Sequence, residues 1–282
     1  MPHLSEYHRP ANLATALRLL ARPTPRTVPL AGGAWLVARR DPSIQAVVDL
    51  SGLNLAFVRK SARRMRLGAM TTLQTLVAHP FVRELAGGLL AEAARRSAVL
   101  AIRNIATLGG TLVVGDATSA VLLALLALEG RVVIRSPIGR EVGLAAFLAD
   151  RPAYLPPQAL VTEVYLPTPP ARAGAALAEI SRMPADRPIV NAAAVLQRVG
   201  HICRSACLAL GGVAPRPIRL PEVEALVTSQ RIDDALLAQA AEAVAASVHP
   251  LSDARASAEY RREMASVAAV RALRQAWEQA KG

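Results

Sequence analysis

Apolar residues recur at helical spacing in "NLATALRLLA" (12–21), with Asn12 placed to cap the first turn, so the spacing predicts a helix there. Two short β-branched runs follow, "TVPLAGG" (27–33) and "AVVDLSGL" (46–53). Each ends in glycine and they flank "AWLVARRD" (34–41), which reads as a loop and short helix, giving a small α/β unit. "MRLGAMTTLQTLVAHP" (65–80) predicts strand, turn and helix with Thr71 or Thr72 as the cap, and "ELAGGLLAEAARRSAV" (84–99) a further helix. A wholly apolar helix is expected near 118–128. "GRVVIRS" (130–136) and "REVGLAAFL" (140–148) read as strands joined by a turn at "SPIG", and "LVTEVYLPTPP" (160–170) as an edge strand closed by its prolines.

The proline cluster at 167–170 and the small residues of "ARAGAA" (171–176) mark the expected domain boundary. Beyond it, two alternating runs flank "VGH" (199–201) as a hairpin, a helix starts at Pro221-Glu222, and 233–248 and 257–280 have the pattern of long amphipathic helices. No internal repeat or low-complexity tract interrupts this order.

Composition narrows the function classes. A chain of 282 residues, 52% hydrophobic and 19% charged, is a folded globular protein of about two domains. Its longest apolar run, Ala120–Leu128, is far shorter than the ~20 residues of a membrane-spanning helix. The opening "MPHLSEYHRP" lacks a basic head with an apolar stretch behind it, so no secretory signal and a cytoplasmic location are expected. The two cysteines, 203 and 207, share one predicted strand about 13 Å apart, too far for a disulfide or a shared metal. They cannot supply the four thiolates of an iron–sulfur cluster, and the five histidines show no zinc spacing. The net charge of +12, with "RKSARRMR" at 59–66, invites a nucleic-acid reading. Aromatic residues make up only 3%, however, and none interleaves with that run, so an anionic cofactor or an acidic partner subunit is the plainer use.

Two Gly-Gly pairs stand out, in "PLAGGAWL" (29–36) and "RNIATLGGTL" (103–112). Neither is a G-x-G-x-x-G or a P-loop. Each follows an apolar run, and a backbone without Cβ atoms lets amide N–H groups approach phosphate, so two such loops can close on one pyrophosphate. No Ser-His-Asp order, nucleophile elbow or close carboxylate pair points to hydrolysis.

"AGGAWLV" resembles the AGGTDL-type loop, and "IRNIATLGGTL" the IRN-x-ATIGGNL loop, of the FAD-binding medium subunit of the xanthine dehydrogenase and carbon monoxide dehydrogenase family of molybdenum hydroxylases. "RLGAMTT", "SRMPADRPIVNAAA", "LALGGVAPRPIRLPEVEALV" and "ASAEYRREMASVAAVRAL", with its D-x-R-A-S-x-x-Y-R-R pattern at 253–262, extend the resemblance over nearly the whole chain. It implies an α+β fold: a two-lobed PCMH-type FAD-binding domain over 1–170, with lobes of about 1–58 and 59–170, then a smaller domain of antiparallel sheet and helices over 171–282. The implied cofactor is FAD, with no metal or cluster in this chain, and the implied partners are the iron–sulfur and molybdopterin subunits. The implied role is to pass electrons from those clusters through flavin to an acceptor.

By the same resemblance the cofactor-binding residues are Pro29, Leu30, Ala31, Gly32, Gly33, Ala34, Trp35, Leu36, Thr107, Gly109, Gly110, Thr111, Asp116, Ser119 and Arg182, and Tyr260, Arg261 and Arg262 are structural. This chain departs from the family pattern at Ala34 and Trp35, at Thr111 in place of Asn, and at Ala117 and Ala120 in place of a Pro-x-x-Asp. Asp116 either takes over the missing acid's role or is a solvated turn residue. Trp35 either stacks on the cofactor or fills its pocket, and Arg182 either lies near flavin or pairs at the surface. These departures motivate a second reading, a family member that has lost flavin redox work and uses the cleft for another small molecule, a non-redox reaction or scaffolding.

Overall fold

The computed structural model describes residues 4–136, 138–170, 172–183 and 186–280. Pro137 of the predicted turn, Ala171 of the boundary stretch and Pro184-Ala185 of "SRMPADR" lie outside the described residues.

The first lobe holds β1 (Glu6–His8), α1 (Leu13–Leu20), β2 (Thr27–Leu30), α2 (Leu36–Arg39) and β3 (Ala46–Asp49), with the strands parallel in the order β1-β3-β2. Asn12 caps α1 by accepting the Thr15 N–H at 2.9 Å. Ala16 and Leu20 of that helix pack with Val48, Leu50 and, from the second lobe, Leu160.

The second lobe runs through β4 (Val58–Lys60), β5 (Arg64–Gly68), α3 (Leu73–Ala78), α4 (Pro80–Glu84), α5 (Leu89–Ser97), α6 (Leu100–Arg103), α7 (Leu108–Val114), α8 (Ala120–Ala127), β6 (Arg131–Arg135), β7 (Gly139–Gly143), α9 (Leu144–Ala149), α10 (Arg151–Tyr154) and β8 (Leu160–Pro167). Its strands form one antiparallel sheet, β4-β5-β8-β6-β7. Met65, Leu67, Val132, Ile134, Val164 and Leu166 face the helices, and the alternate residues face away.

Three sequence expectations are corrected here. Strand 160–170 is central, paired with β5 on one side and β6 on the other, because its prolines end the ladder at Pro167 and do not block either edge. The helix expected over 84–99 is broken: Ala86, Gly87 and Gly88 take positive φ of 46°, 61° and 82°, and α5 starts afresh at Leu89. The strand expected over 140–148 stops at Gly143, beyond which Leu144, Phe147 and Leu148 are buried at helical spacing.

The C-terminal part pairs β9 (Ala173–Ile180), β10 (Val190–Val199), β11 (Ile202–Gly211) and β12 (Ile218–Arg219) in an antiparallel sheet of order β12-β11-β10-β9, followed by α11 (Pro221–Val227), α12 (Asp234–Ser247) and α13 (Ala258–Gln279). The hairpin turns at Gly200, φ +59°. One sheet face carries Ala176, Ala178, Ala192, Ala194, Leu208 and Leu210 against α12 and α13. The other lays Ala175, Leu177, Ala193 and Ala209 against the core of the second lobe. This explains α8: all eight of its residues are buried, with lobe-two helices on one side and the C-terminal sheet on the other, so it is apolar all round. No helix among the described residues is long and apolar enough to cross a membrane.

Candidate functional site

The first glycine loop leaves the carboxyl end of β2 in a parallel sheet, the edge at which α/β proteins commonly bind ligands. Gly33 takes φ +77°, and its carbonyl accepts the Val37 N–H at 3.0 Å as α2 begins. Among the described residues no oxygen accepts from the N–H groups of Gly32, Gly33, Ala34 or Trp35. Consecutive free amides around a left-handed residue form an anion-binding concavity.

Gly32 has a separate reason to lack a side chain. A Cβ there would stand 1.5 Å from the Ile105 carbonyl oxygen. The two glycine stretches, some seventy residues apart in sequence, thus meet in the fold, lobe one against lobe two. The Ile105 side is pinned: Arg103 donates to Gln74 Oε1 at 3.0 Å and to the Arg95 and Ala98 carbonyls at 2.7 and 3.0 Å, and the Ala106 N–H donates to the Ile102 carbonyl at 2.7 Å.

The second pair does different work, opening α7. Thr107 caps that helix, its Oγ1 accepting the Gly110 N–H at 3.2 Å. The Gly109 N–H donates to the Ala69 carbonyl at 2.8 Å, and those of Leu108 and Thr111 to the Thr71 and Thr107 carbonyls at 2.9 Å each. The Thr111 hydroxyl also donates to the Thr107 carbonyl, at 3.0 Å. A Cβ on Gly109 would lie 2.8 Å from that of Ala69, so this glycine lets the helix start press on the "RLGAMTT" turn. Its amides are spent inside the protein, and the free ones belong to the first loop.

Pro29 and Leu30 end β2, and Ala31 packs on the first lobe's core. Leu36 opens α2. Trp35 does not fill a pocket: the residue is 48% exposed, with the Arg39 guanidinium 4.6 Å from the ring centroid. Asp116 stands beyond the far end of α7, about 10 Å long at 1.5 Å per residue. Its Oδ1 accepts the Thr118 N–H at 2.8 Å and hydroxyl at 3.0 Å, and its Oδ2 pairs with Arg187. Ser119 caps α8 by accepting from the Leu122 N–H, and Ala120 is buried in that helix's first turn.

Arg182, 61% exposed, reaches Asp186 at 3.4 Å and lines an open pocket of about 400 Å³ with Glu179, Met183, Met264 and Arg271 in the C-terminal domain. The fold therefore brings the two stretches together at Gly32 and Ile105-Ala106, while Asp116, Ser119 and Arg182 make their contacts elsewhere.

The sequence reading missed Arg187, which crosses from the C-terminal domain to Asp116 and also donates to Thr118 Oγ1 at 2.9 Å. Asn191 Nδ2 holds the Thr118 carbonyl at 2.9 Å, and the Gly212 N–H holds that of Ala117 at 2.9 Å. Behind them Arg255 grips Asp186 at 3.1 Å and the Pro188 carbonyl at 3.2 Å, and buried Arg261 grips the Ile189 carbonyl and Asp253, each at 2.7 Å. The one available signal was the D-x-R-A-S-x-x-Y-R-R pattern, whose Asp253, Arg255 and Arg261 all join this network. Burial pushes the thiols of Cys203 and Cys207 up to about 11 and about 12, so both stay protonated.

Comparison with known proteins agrees along the chain. The family profile of the FAD binding domain in molybdopterin dehydrogenase matches residues 3–169, and that of the CO dehydrogenase flavoprotein C-terminal domain matches 175–276. The carbon monoxide dehydrogenase medium chain of Afipia carboxidovorans is 31% identical over 290 aligned positions, covering 100% of this chain and 99% of that one. The nicotine 6-hydroxylase medium subunit of Paenarthrobacter nicotinovorans is 31% identical, covering 90% and 91%. Among solved structures, a chain of carbon monoxide dehydrogenase from Hydrogenophaga pseudoflava superposes with TM-score 0.91 at 27% identity, covering 98% of each chain. This chain belongs to the family of FAD-binding medium subunits of the carbon monoxide dehydrogenase and xanthine dehydrogenase type of molybdenum hydroxylases.

Proposed function

We propose that this chain is the electron-transfer subunit of its complex, carrying electrons from a partner's iron–sulfur clusters through FAD to an acceptor. The observation that carries the proposal is the run of free amides from Gly32 to Trp35, seated on the Ile105 carbonyl at the meeting of the two lobes. Residues 29–36 would hold the pyrophosphate through main-chain N–H groups, with Thr107, Gly109, Gly110 and Thr111 forming the facing wall. Because those donors are backbone, Ala34 and Trp35 at commonly polar positions leave them intact. The exposed face of Trp35 not covered by Arg39 is open to an aromatic ring. For these reasons loss of flavin is the less favoured reading.

FAD, when bound, supplies the redox chemistry; the protein binds, orients and shields it. Two cysteines fall short of the four thiolates of a cluster, and no group of three or more His, Cys, Asp or Glu among the described residues is placed to hold a metal ion. On this reading electrons arrive from other chains, the iron–sulfur and molybdopterin subunits. Asp116, engaged by Arg187, is assigned to joining the domains, and Ser119 to capping α8. The test is to purify the chain with its partner subunits and titrate the isolated chain with FAD. Stoichiometric binding, with bleaching of the bound flavin when the complex is given reductant, is expected. A chain that takes up no FAD refutes the proposal.

A further inference from the structure

The run "RKSARRMR" falls on the β4–β5 hairpin, and its function is not absorbed by the flavin site. Alternation places Arg64 and Arg66 of β5, and Arg59 opposite Arg66 on β4, on the sheet face turned away from the core, while Met65 and Leu67 face it. Arg59 pairs in register with Arg66, Arg66 with Tyr165, and Tyr165 with Arg131, forming a single row across β4, β5, β8 and β6. Phe57 and Tyr165 are stacked by guanidinium groups. Arg59 lies 4.7 Å and Arg66 5.9 Å from the Phe57 centroid, and Arg64 lies 4.5 Å and Arg66 5.6 Å from that of Tyr165. Glu163 takes Arg66 in a fork of 2.8–3.0 Å bonds, and Glu141 takes Arg131. Arg59 and Arg64 have no carboxylate partner among the described residues, and with exposed Arg63 they leave this end of the face with surplus positive charge.

We propose that this face is a docking surface for an acidic protein surface, borne by one of the other subunits of the complex. Charge alone on an edge strand serves to discourage edge-to-edge pairing, which accounts for Arg59 and Lys60 on β4. It does not account for stacked arginines on β5, inside the sheet. A guanidinium already held over a ring surrenders less freedom on meeting a carboxylate. Nucleic acid fits worse. The two rings are already covered by arginine and offer no platform for bases, and Glu163 and Glu141 break the row with charges that repel a phosphate backbone. The chain's net charge of +12 favours an acidic partner surface at such a cationic face.

The choice of a subunit as occupant rests on the complex membership argued above. Charge reversal at Arg59 and Arg64 is the selective probe of this face, since the neighbouring Lys60 lies on the helix side of the sheet, opposite Met65 in register and paired with Glu84 at 3.2 Å. The double variant Arg59→Glu, Arg64→Glu is expected to weaken association with the iron–sulfur and molybdopterin subunits about tenfold or more at physiological salt, and to flatten its salt dependence. Arg59→Lys, Arg64→Lys is expected to keep most of the affinity, and both variants to keep the melting temperature and FAD content of the isolated chain. Unchanged affinity in the charge-reversed variant overturns the proposal. So does salt-steep binding of duplex DNA that the reversal abolishes while assembly is untouched. A chain that never associates with those subunits removes complex membership as well; one that associates but ignores the reversal removes only the docking face.

Discussion

Replacing Gly32 with alanine tests whether contact between the lobes shapes the flavin cradle. The new Cβ would stand 1.5 Å from the Ile105 oxygen and 2.6 Å from its carbonyl carbon, so the loop must withdraw by at least 1.5 Å to restore even a 3.0 Å contact. Ile105 cannot yield in its place, since Arg103 and the Ala106 N–H fix that turn. Forced overpacking of this kind costs about 1–3 kcal/mol, and at ~2–4 °C per kcal/mol the melting temperature should fall by roughly 2–12 °C. A shift of that size also misdirects the free amides. Losing two hydrogen bonds to a charged phosphate, at ~1.5–3 kcal/mol each, weakens FAD by about 10²–10⁴-fold. FAD fluorescence titration and circular-dichroism melting measure the two effects. Gly143→Ala is the control: nothing lies within 4 Å of a Cβ there, and as a helix N-cap change it should cost under about 1 kcal/mol. A Gly32→Ala protein that binds FAD within about threefold of wild type and melts within ~1 °C of it would refute the reasoning.

Three further outcomes are expected. Thr107→Val removes the Gly110 cap and should cost about 0.5–2 kcal/mol, read by chemical denaturation. A double-mutant cycle of Arg187→Gln with Asp116→Asn should give a coupling of no more than about 1 kcal/mol, because the side chains are 57% and 34% exposed; a much larger value would mean that the domains depend on this pair. Arg261→Met leaves the Ile189 and Gly212 carbonyls without their guanidinium donor and should cost about 1–3 kcal/mol at neutral pH. Hydrogen bonds from Arg261 hold the Asp253 carboxyl at about 2, below its ordinary 3.8. The unfolded chain therefore takes up that proton first on acidification, and the stabilisation, complete above the ordinary value, is lost as pH falls toward 2. In Arg261→Met the component of acid loss due to Asp253 should shrink in the stability–pH curve, leaving the part due to the Arg255 and Ala256 N–H groups.

Local chemistry was enough to place many elements. Asn12 caps the helix it was read as capping, Thr72, one of the two threonines offered, caps the next, Gly200 turns the hairpin expected at 199–201, and Pro221 opens its helix, because each acts on neighbours within four residues. The ordered motifs likewise identified the family, and with it FAD, since the glycines and the D-x-R-A-S-x-x-Y-R-R pattern are read off the chain directly. Partnerships between distant segments were not legible in this way. Prolines after residue 166 announced that a strand ends, while its central place depends on β5 and β6 pairing from both sides. Helix α8 showed its burial in its composition, yet its two covers come from different domains. The two Gly-Gly pairs look alike in sequence, but one exposes its amides and the other spends them on Ala69 and Thr107, a distinction made by which backbone each meets. Arg182 drew notice by its motif, whereas Arg187 reaches Asp116, because closing a loop between domains selects the side chain by position in space.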